Sequence, residues 1–202
     1  MFWAIFSIIF AIILFYLNNS WKPKTPFFIL QNTILRIGHR GVPINEHENT
    51  LKSFKLAVAS NLDGVELDVQ LTSDKELIVY HDWTCTDNLG LEVVIENMDC
   101  SALQNIKLTS RSKCNMPLLS DVLNILPNKY IKIIEVKSKH VKNTGVEKKI
   151  LTMLEKYNII NSCIISSFNP FVIRRINRLN SDIQTALLWS MDNPIFLINT
   201  PL

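Results

Sequence analysis

The sequence predicts an α/β domain built around a mostly parallel sheet, and three observations carry that expectation. From residue 33 onward, short β-rich apolar runs alternate with amphipathic helical stretches. The runs end in imidazoles, carboxylates and cations. No internal repeat or low-complexity segment interrupts them. With 202 residues the chain has room for one sizeable domain. Its net charge of +3 is dispersed, with no Lys/Arg run interleaved with aromatics, which excludes nucleic acid as a partner.

Hydrophobic residues make up 48% of the chain, and the excess sits in residues 1–17. As a helix that stretch would be about 25 Å long at ~1.5 Å per residue, the short end of a membrane crossing. It lacks the basic start and the small-residue cleavage site of a signal peptide. The expected organisation is a single-pass membrane anchor over 1–20, a linker over 21–32 with Trp21, Pro23 and Pro26, and a globular domain over 33–202. Lys22 and Lys24 lean toward a cytoplasmic domain without fixing the side. Cys85, Cys100, Cys114 and Cys163 show no zinc-ligand spacing and read as ordinary thiols, with one disulfide open to an oxidising compartment.

The first strand is expected over 34–38, running into His39, Arg40 and Gly41. A helix follows from Asn49 or Thr50 to Ser60, with Leu51, Phe54, Leu56 and Val58 on its apolar face. The second strand begins at Gly64. A third, over 76–80, follows after Ser73, Asp74 and Lys75, too short a gap for a crossover helix. It forms either a hairpin or a tight parallel return, and both bring His81 near the second strand. The region 83–117 is long for a plain connection and predicts a lid or inserted subdomain, with a short helix over 101–106. A helix after Pro117 takes Ser120 as its cap and ends before Pro127. Then come a strand over 131–137, a helix over 145–157, a strand over 163–168, a helix from Asn169 and Pro170 to Leu179, and a sixth strand over 184–189.

The second strand carries a conflict. Glu66 and Asp68 are two apart, so they project from one face while Val65, Leu67 and Val69 pack on the other. Adjacent buried carboxylates repel and lose hydration unless a cation compensates. The alternatives are a wet, acidic edge strand or a hard divalent metal site.

His39, Arg40, Glu66, Asp68, His81, Glu135 and Lys137 all fall at carboxy-terminal strand ends, which in a β/α barrel converge on one mouth. Three carboxylates suit calcium or magnesium, two histidines suit proton transfer, and two cations suit an anionic substrate. That combination serves phosphodiester cleavage.

The chain resembles the glycerophosphodiester phosphodiesterase family. The matching motifs are His39-Arg40-Gly41, Glu48-Asn49-Thr50 with Ser53-Phe54, the run from Gly64 to Thr72, Val79-Tyr80-His81-Asp82, the run from Pro117 to Leu123, Glu135-Val136-Lys137 and Ser167-Phe168. The resemblance implies a β/α (TIM-type) barrel that hydrolyses glycerophosphodiesters to glycerol 3-phosphate and an alcohol. It implies His39 and His81 as the acid/base pair, and Glu66, Asp68 and Glu135 as ligands of Ca²⁺ or Mg²⁺. It also implies Arg40 and Lys137 on the phosphate. With a membrane anchor, lysophospholipids become expected substrates as well.

Two departures stand out. His47 replaces the proline common before Glu-Asn-Thr, and only about six strands are recognisable where a closed barrel has eight. The expectation is therefore a barrel truncated at its carboxy-terminal side, with exposed edges to be completed by a partner chain, a second copy of this chain among the candidates, or by non-standard closure. The alternatives are an inactive barrel remnant acting as a binding module and, less favoured, a sphingomyelinase-D-like lyase.

Overall fold

The computed structural model describes residues 2–18, 34–44, 46–108 and 114–190. Helix α1 (Phe2–Asn18) is 17 residues long. No helix among the described residues is long and apolar enough to cross a membrane, which overturns the expected single-pass anchor and the membrane localisation built on it. The physical reason is length: 17 residues reach about 25 Å, against a hydrocarbon core of about 30 Å. The expected linker lies outside the described residues.

Strand β1 (Ile37–His39) leads into α2 (Leu51–Ala59), whose first turn is capped by Thr50, its hydroxyl accepting from the Ser53 N–H. Strand β2 (Gly64–Leu71) runs parallel to β1, with Ile37 opposite Gly64 and His39 opposite Glu66. Strand β3 (Leu77–Val79) pairs antiparallel with the end of β2, Val69 opposite Val79. The hairpin is therefore the realised alternative. Since Val69 also pairs with Val136 on the opposite edge, β1 and β3 share one edge of β2, end to end.

The insertion then departs from the sheet. It holds a hairpin of β4 (Thr84–Thr86) and β5 (Glu92–Val94), then helix α3 (Cys100–Gln104). Ile78, Ile95, Leu103, Ile106 and Met116 form its own small core. Helix α4 (Leu119–Ile125) begins one residue before Ser120, so Ser120 is inside it rather than capping it. The Asp121 carboxylate instead accepts from the Leu118 N–H at 3.2 Å, the usual service of an acid in the first turn.

Strand β6 (Ile131–Val136) pairs parallel with β2, Asp68 opposite Glu135. Helix α5 (Val146–Lys156), strand β7 (Cys163–Ser167), helix α6 (Pro170–Leu179) and strand β8 (Gln184–Leu187) complete the alternation. The parallel order β1-β2-β6-β7-β8 follows the chain, as it does in a β/α barrel. The barrel is not closed: among the described residues the outer edges of β1 and β8 have no strand partner. The main core lies between the sheet and helices α2, α4, α5 and α6, centred on Phe54, Leu67, Ile134, Ile150, Ile165 and Val172. All four cysteines are free and buried.

Candidate active site

The alternation on β2 does what its sequence requires. Val65, Leu67 and Val69 are fully buried in the main core, which turns Glu66, Asp68 and Gln70 to the opposite face. The β2–β6 register sets Glu135 beside Asp68. One oxygen from each of Glu66, Asp68 and Glu135 lies within 4.8 Å of the others. The Asp68 side chain is 1% exposed, and its Oδ1 is buried with no hydrogen-bond donor. Burial, and then repulsion from Asp68, push the Glu66 carboxyl up to about 8. Burial also raises the Glu135 carboxyl; Lys137 opposes that rise and Asp68 adds to it. A buried carboxylate oxygen without a donor and two acids pushed toward neutrality make a cluster whose charge a cation would offset. The donor set, all oxygen, fits a hard divalent ion.

Arg40 sits in the left-handed region at φ 55°, a conformation costing on the order of 1–3 kcal/mol outside glycine. Several bonds hold it there. Its N–H donates to Glu66 Oε2 at 3.1 Å, and its carbonyl accepts from Ser53 Oγ at 2.8 Å and the Asn49 N–H at 3.1 Å. The guanidinium bonds Glu48 Oε1 at 2.8 Å and lies 3.3 Å from Asp68 Oδ2. Burial opposes its charge, but the surrounding carboxylates outweigh burial and hold it protonated. Gly41, at φ +85°, follows because a Cβ there would fall onto Ser53.

The other expected residues gather at the same mouth. His39 Nε2 is 3.8 Å from Glu66 Oε2, on a side chain 74% exposed. His81 Nδ1 meets Asp82 Oδ1 at 2.7 Å, and the carboxylate, which only accepts, fixes the proton on Nδ1. Lys137 Nζ donates to Glu135 Oε1 at 3.3 Å and lies 3.9 Å from Asp68 Oδ1. Sequence reasoning gave no role to three supporting side chains, two of them inside the quoted motifs. Asn49 brackets Asp68, donating from Nδ2 to Oδ2 at 2.8 Å and accepting the Asp68 N–H at 3.3 Å. Gln70 Nε2 donates to the Tyr80 and Asp82 carbonyls, both at 2.8 Å, and so holds the His81 turn. Trp83 lies under the Lys137 and Lys139 ammoniums. Gln70 was recoverable from its alternation with Glu66 and Asp68.

Residues 39–195 match the glycerophosphoryl diester phosphodiesterase family. This chain belongs to that family. Among relatives of known description, a glycerophosphodiester phosphodiesterase of Caldanaerobacter subterraneus subsp. tengcongensis is 33% identical over 163 residues, covering 77% of this chain and 66% of the relative. The human lysophospholipase D GDPD1 is 27% identical over 173 residues, 80% of this chain and 53% of the relative. A crystal structure of glycerophosphodiester phosphodiesterase from Thermotoga maritima superposes with a TM-score of 0.64 at 25% identity. It covers 83% of this chain and 68% of that one. The chain thus spans about two thirds of the bacterial relative's length and about half of the human one's. The family's fold accounts for the parallel strand order, and this chain's own Glu66, Asp68 and Glu135 are grouped closely enough to hold a metal ion.

Proposed function

We propose that this chain hydrolyses glycerophosphodiesters to glycerol 3-phosphate and an alcohol. The observation that carries the reading is the convergence of Glu66, Asp68 and Glu135 with His39, His81, Arg40 and Lys137 at one mouth, inside the residues that match the family. Glu66, Asp68 and Glu135 would hold calcium or magnesium, which when bound polarises the phosphoryl oxygens and neutralises their charge.

The remaining work falls to the chain's own side chains. Lys137, paired to Glu135 at 3.3 Å, and Arg40, charged by its carboxylate partners, bind and orient the phosphate. His81, with Nδ1 committed to Asp82, presents Nε2 to take or give a proton. His39 serves the opposite proton transfer from its exposed position beside Glu66. Water adds at phosphorus, the P–O bond to the alcohol breaks, and one imidazole takes the water's proton while the other protonates the departing alkoxide. Lysophospholipids are a second substrate class, supported by likeness to the human lysophospholipase D over 80% of the chain.

The test is glycerol 3-phosphate release from glycerophosphodiesters and lysophospholipids by the purified full chain, with calcium or magnesium and then with chelator. Metal-dependent release is expected, and His39→Ala and Glu66→Gln should each lower it by about 10²-fold or more while circular dichroism stays native. A folded chain without metal-dependent release sinks the enzyme reading and leaves the binding-module alternative. Near-normal turnover in either variant overturns that residue's role.

A further inference from the structure

Beside the acidic cluster a cleft of about 300 Å³ opens between the end of β2, the insertion and the loop after β6. Lys137 belongs to both places. It lines the cleft and its Nζ is 3.3 Å from Glu135 Oε1, so the cleft begins where a bound phosphate would end. The volume is at the low end for small-molecule pockets and exceeds what a three-carbon glycerol fills.

The walls discriminate by charge. Aromatic faces are the usual seat of quaternary ammonium groups, and Trp83 supplies such a face. Two ammoniums already lie over that ring: Lys137 Nζ, from the cleft lining, at 5.2 Å from its centroid, and Lys139 Nζ, an exposed side chain at the rim outside the lining, at 4.3 Å. The carboxylate in the lining, Glu96, is engaged by His140 Nε2 at 2.8 Å. Lys75 adds a further cation, and Gln70, Asn97 and Ser138 add neutral polar groups. A cationic alcohol entering here meets the Lys75 and Lys137 ammoniums, a ring that already carries two ammoniums and a carboxylate already paired to His140. A hydroxyl-rich or anionic alcohol meets donors.

We propose that this cleft receives the alcohol half of the diester, and that Lys139 stacked on Trp83 selects neutral polyol and anionic alcohols against cationic ones such as choline. The assignment rests on the phosphodiesterase reading and adds the substrate class to it.

Two measurements on the full chain with magnesium or calcium test it. One is kcat/KM for glycerophosphoinositol against glycerophosphocholine; the other is calorimetric binding of the same two diesters to His39→Ala. Both should favour the inositol diester, by about fivefold or more. Lys139→Ala should narrow the ratio by about two- to fivefold, the range for an exposed cation–π contact, and Lys139→Glu should narrow it further. Equal or choline-favouring ratios, or a ratio untouched in Lys139→Ala, overturn the proposal, as does failure of His39→Ala to bind either diester. A binding preference that survives in a chain hydrolysing neither diester supports the cleft assignment and counts against the phosphodiesterase reading, so the two failures are distinguishable.

Discussion

Asp68 and Glu66 occupy the same face of one strand but are treated differently. Asp68 is bracketed by Asn49 and faced by Arg40, whereas Glu66 receives one backbone donor, from Arg40, and carries the repulsion. Glu66 is thus raised from its ordinary 4.5 to about 8, and the sign of the consequence follows. In the metal-free chain the unfolded state releases this proton first, so stability present below about 4.5 declines as pH rises through about 8. A cation held by Glu66, as proposed, would have to displace the same proton. Apparent calcium or magnesium affinity is therefore expected to climb by about tenfold per pH unit below 8 and to level off above it, with Glu66→Gln removing most of the slope. Titration calorimetry from pH 6 to 9 checks this, and a flat profile refutes it. At this scale Glu66 and Asp68 were legible from their alternation inside β2, where the strand runs on to Leu71 rather than ending at them, and the imidazoles, Glu135 and Lys137 from their places at the ends of apolar runs. Asn49 stood in the Glu48-Asn49-Thr50 motif, but its grip on Asp68 was not legible, because it depends on a loop residue at φ 54° that no periodicity announces.

Among the elements, β2 is gripped on both edges, and Gly64 marks where the grip is tightest. A Cβ there would stand 2.7 Å from Ile131 Cβ and 2.9 Å from Ile37 Cδ1, forcing apart the two strand pairs that set His39 beside Glu66 and Glu135 beside Asp68. Gly64→Ala should cost about 1–3 kcal/mol, as overpacking does. Urea denaturation at constant m-value would show it, and a change under about 0.5 kcal/mol would mean the strands part freely. The alternating strands and helices were readable to within a few residues because each runs long enough to show its period. The β4–β5 hairpin was not: three-residue strands with one buried side chain in β4, Cys85, and none in β5 show almost no alternation. Their order comes from packing over the insertion's own core. The apolar first helix was readable as a helix, and the inference of a crossing failed on its length.

For the molecule as a whole, the acidic cluster ties the middle of an open sheet. Glu66 and Asp68 come from β2 and Glu135 from β6, while the outer edges at β1 and β8 have no strand partner among the described residues. In the metal-free protein this seam stores repulsion, since Asp68 raises both Glu66 and Glu135. An ion that bound only the folded cluster would remove the repulsion and cross-link the two central strands. At a free concentration about a hundred times its dissociation constant, such a ligand adds about 2.7 kcal/mol to folding. For a chain of 202 residues each kcal/mol moves Tm by about 2–4 °C, so saturating calcium or magnesium should raise Tm by about 5–10 °C. The rise should disappear with chelator and in Asp68→Asn, whereas a substitution at the edge, such as Leu187→Ala, should lower Tm with and without metal alike. Differential scanning calorimetry separates the cases: equal Tm values with and without metal would mean that the three carboxylates do not form a divalent-cation site.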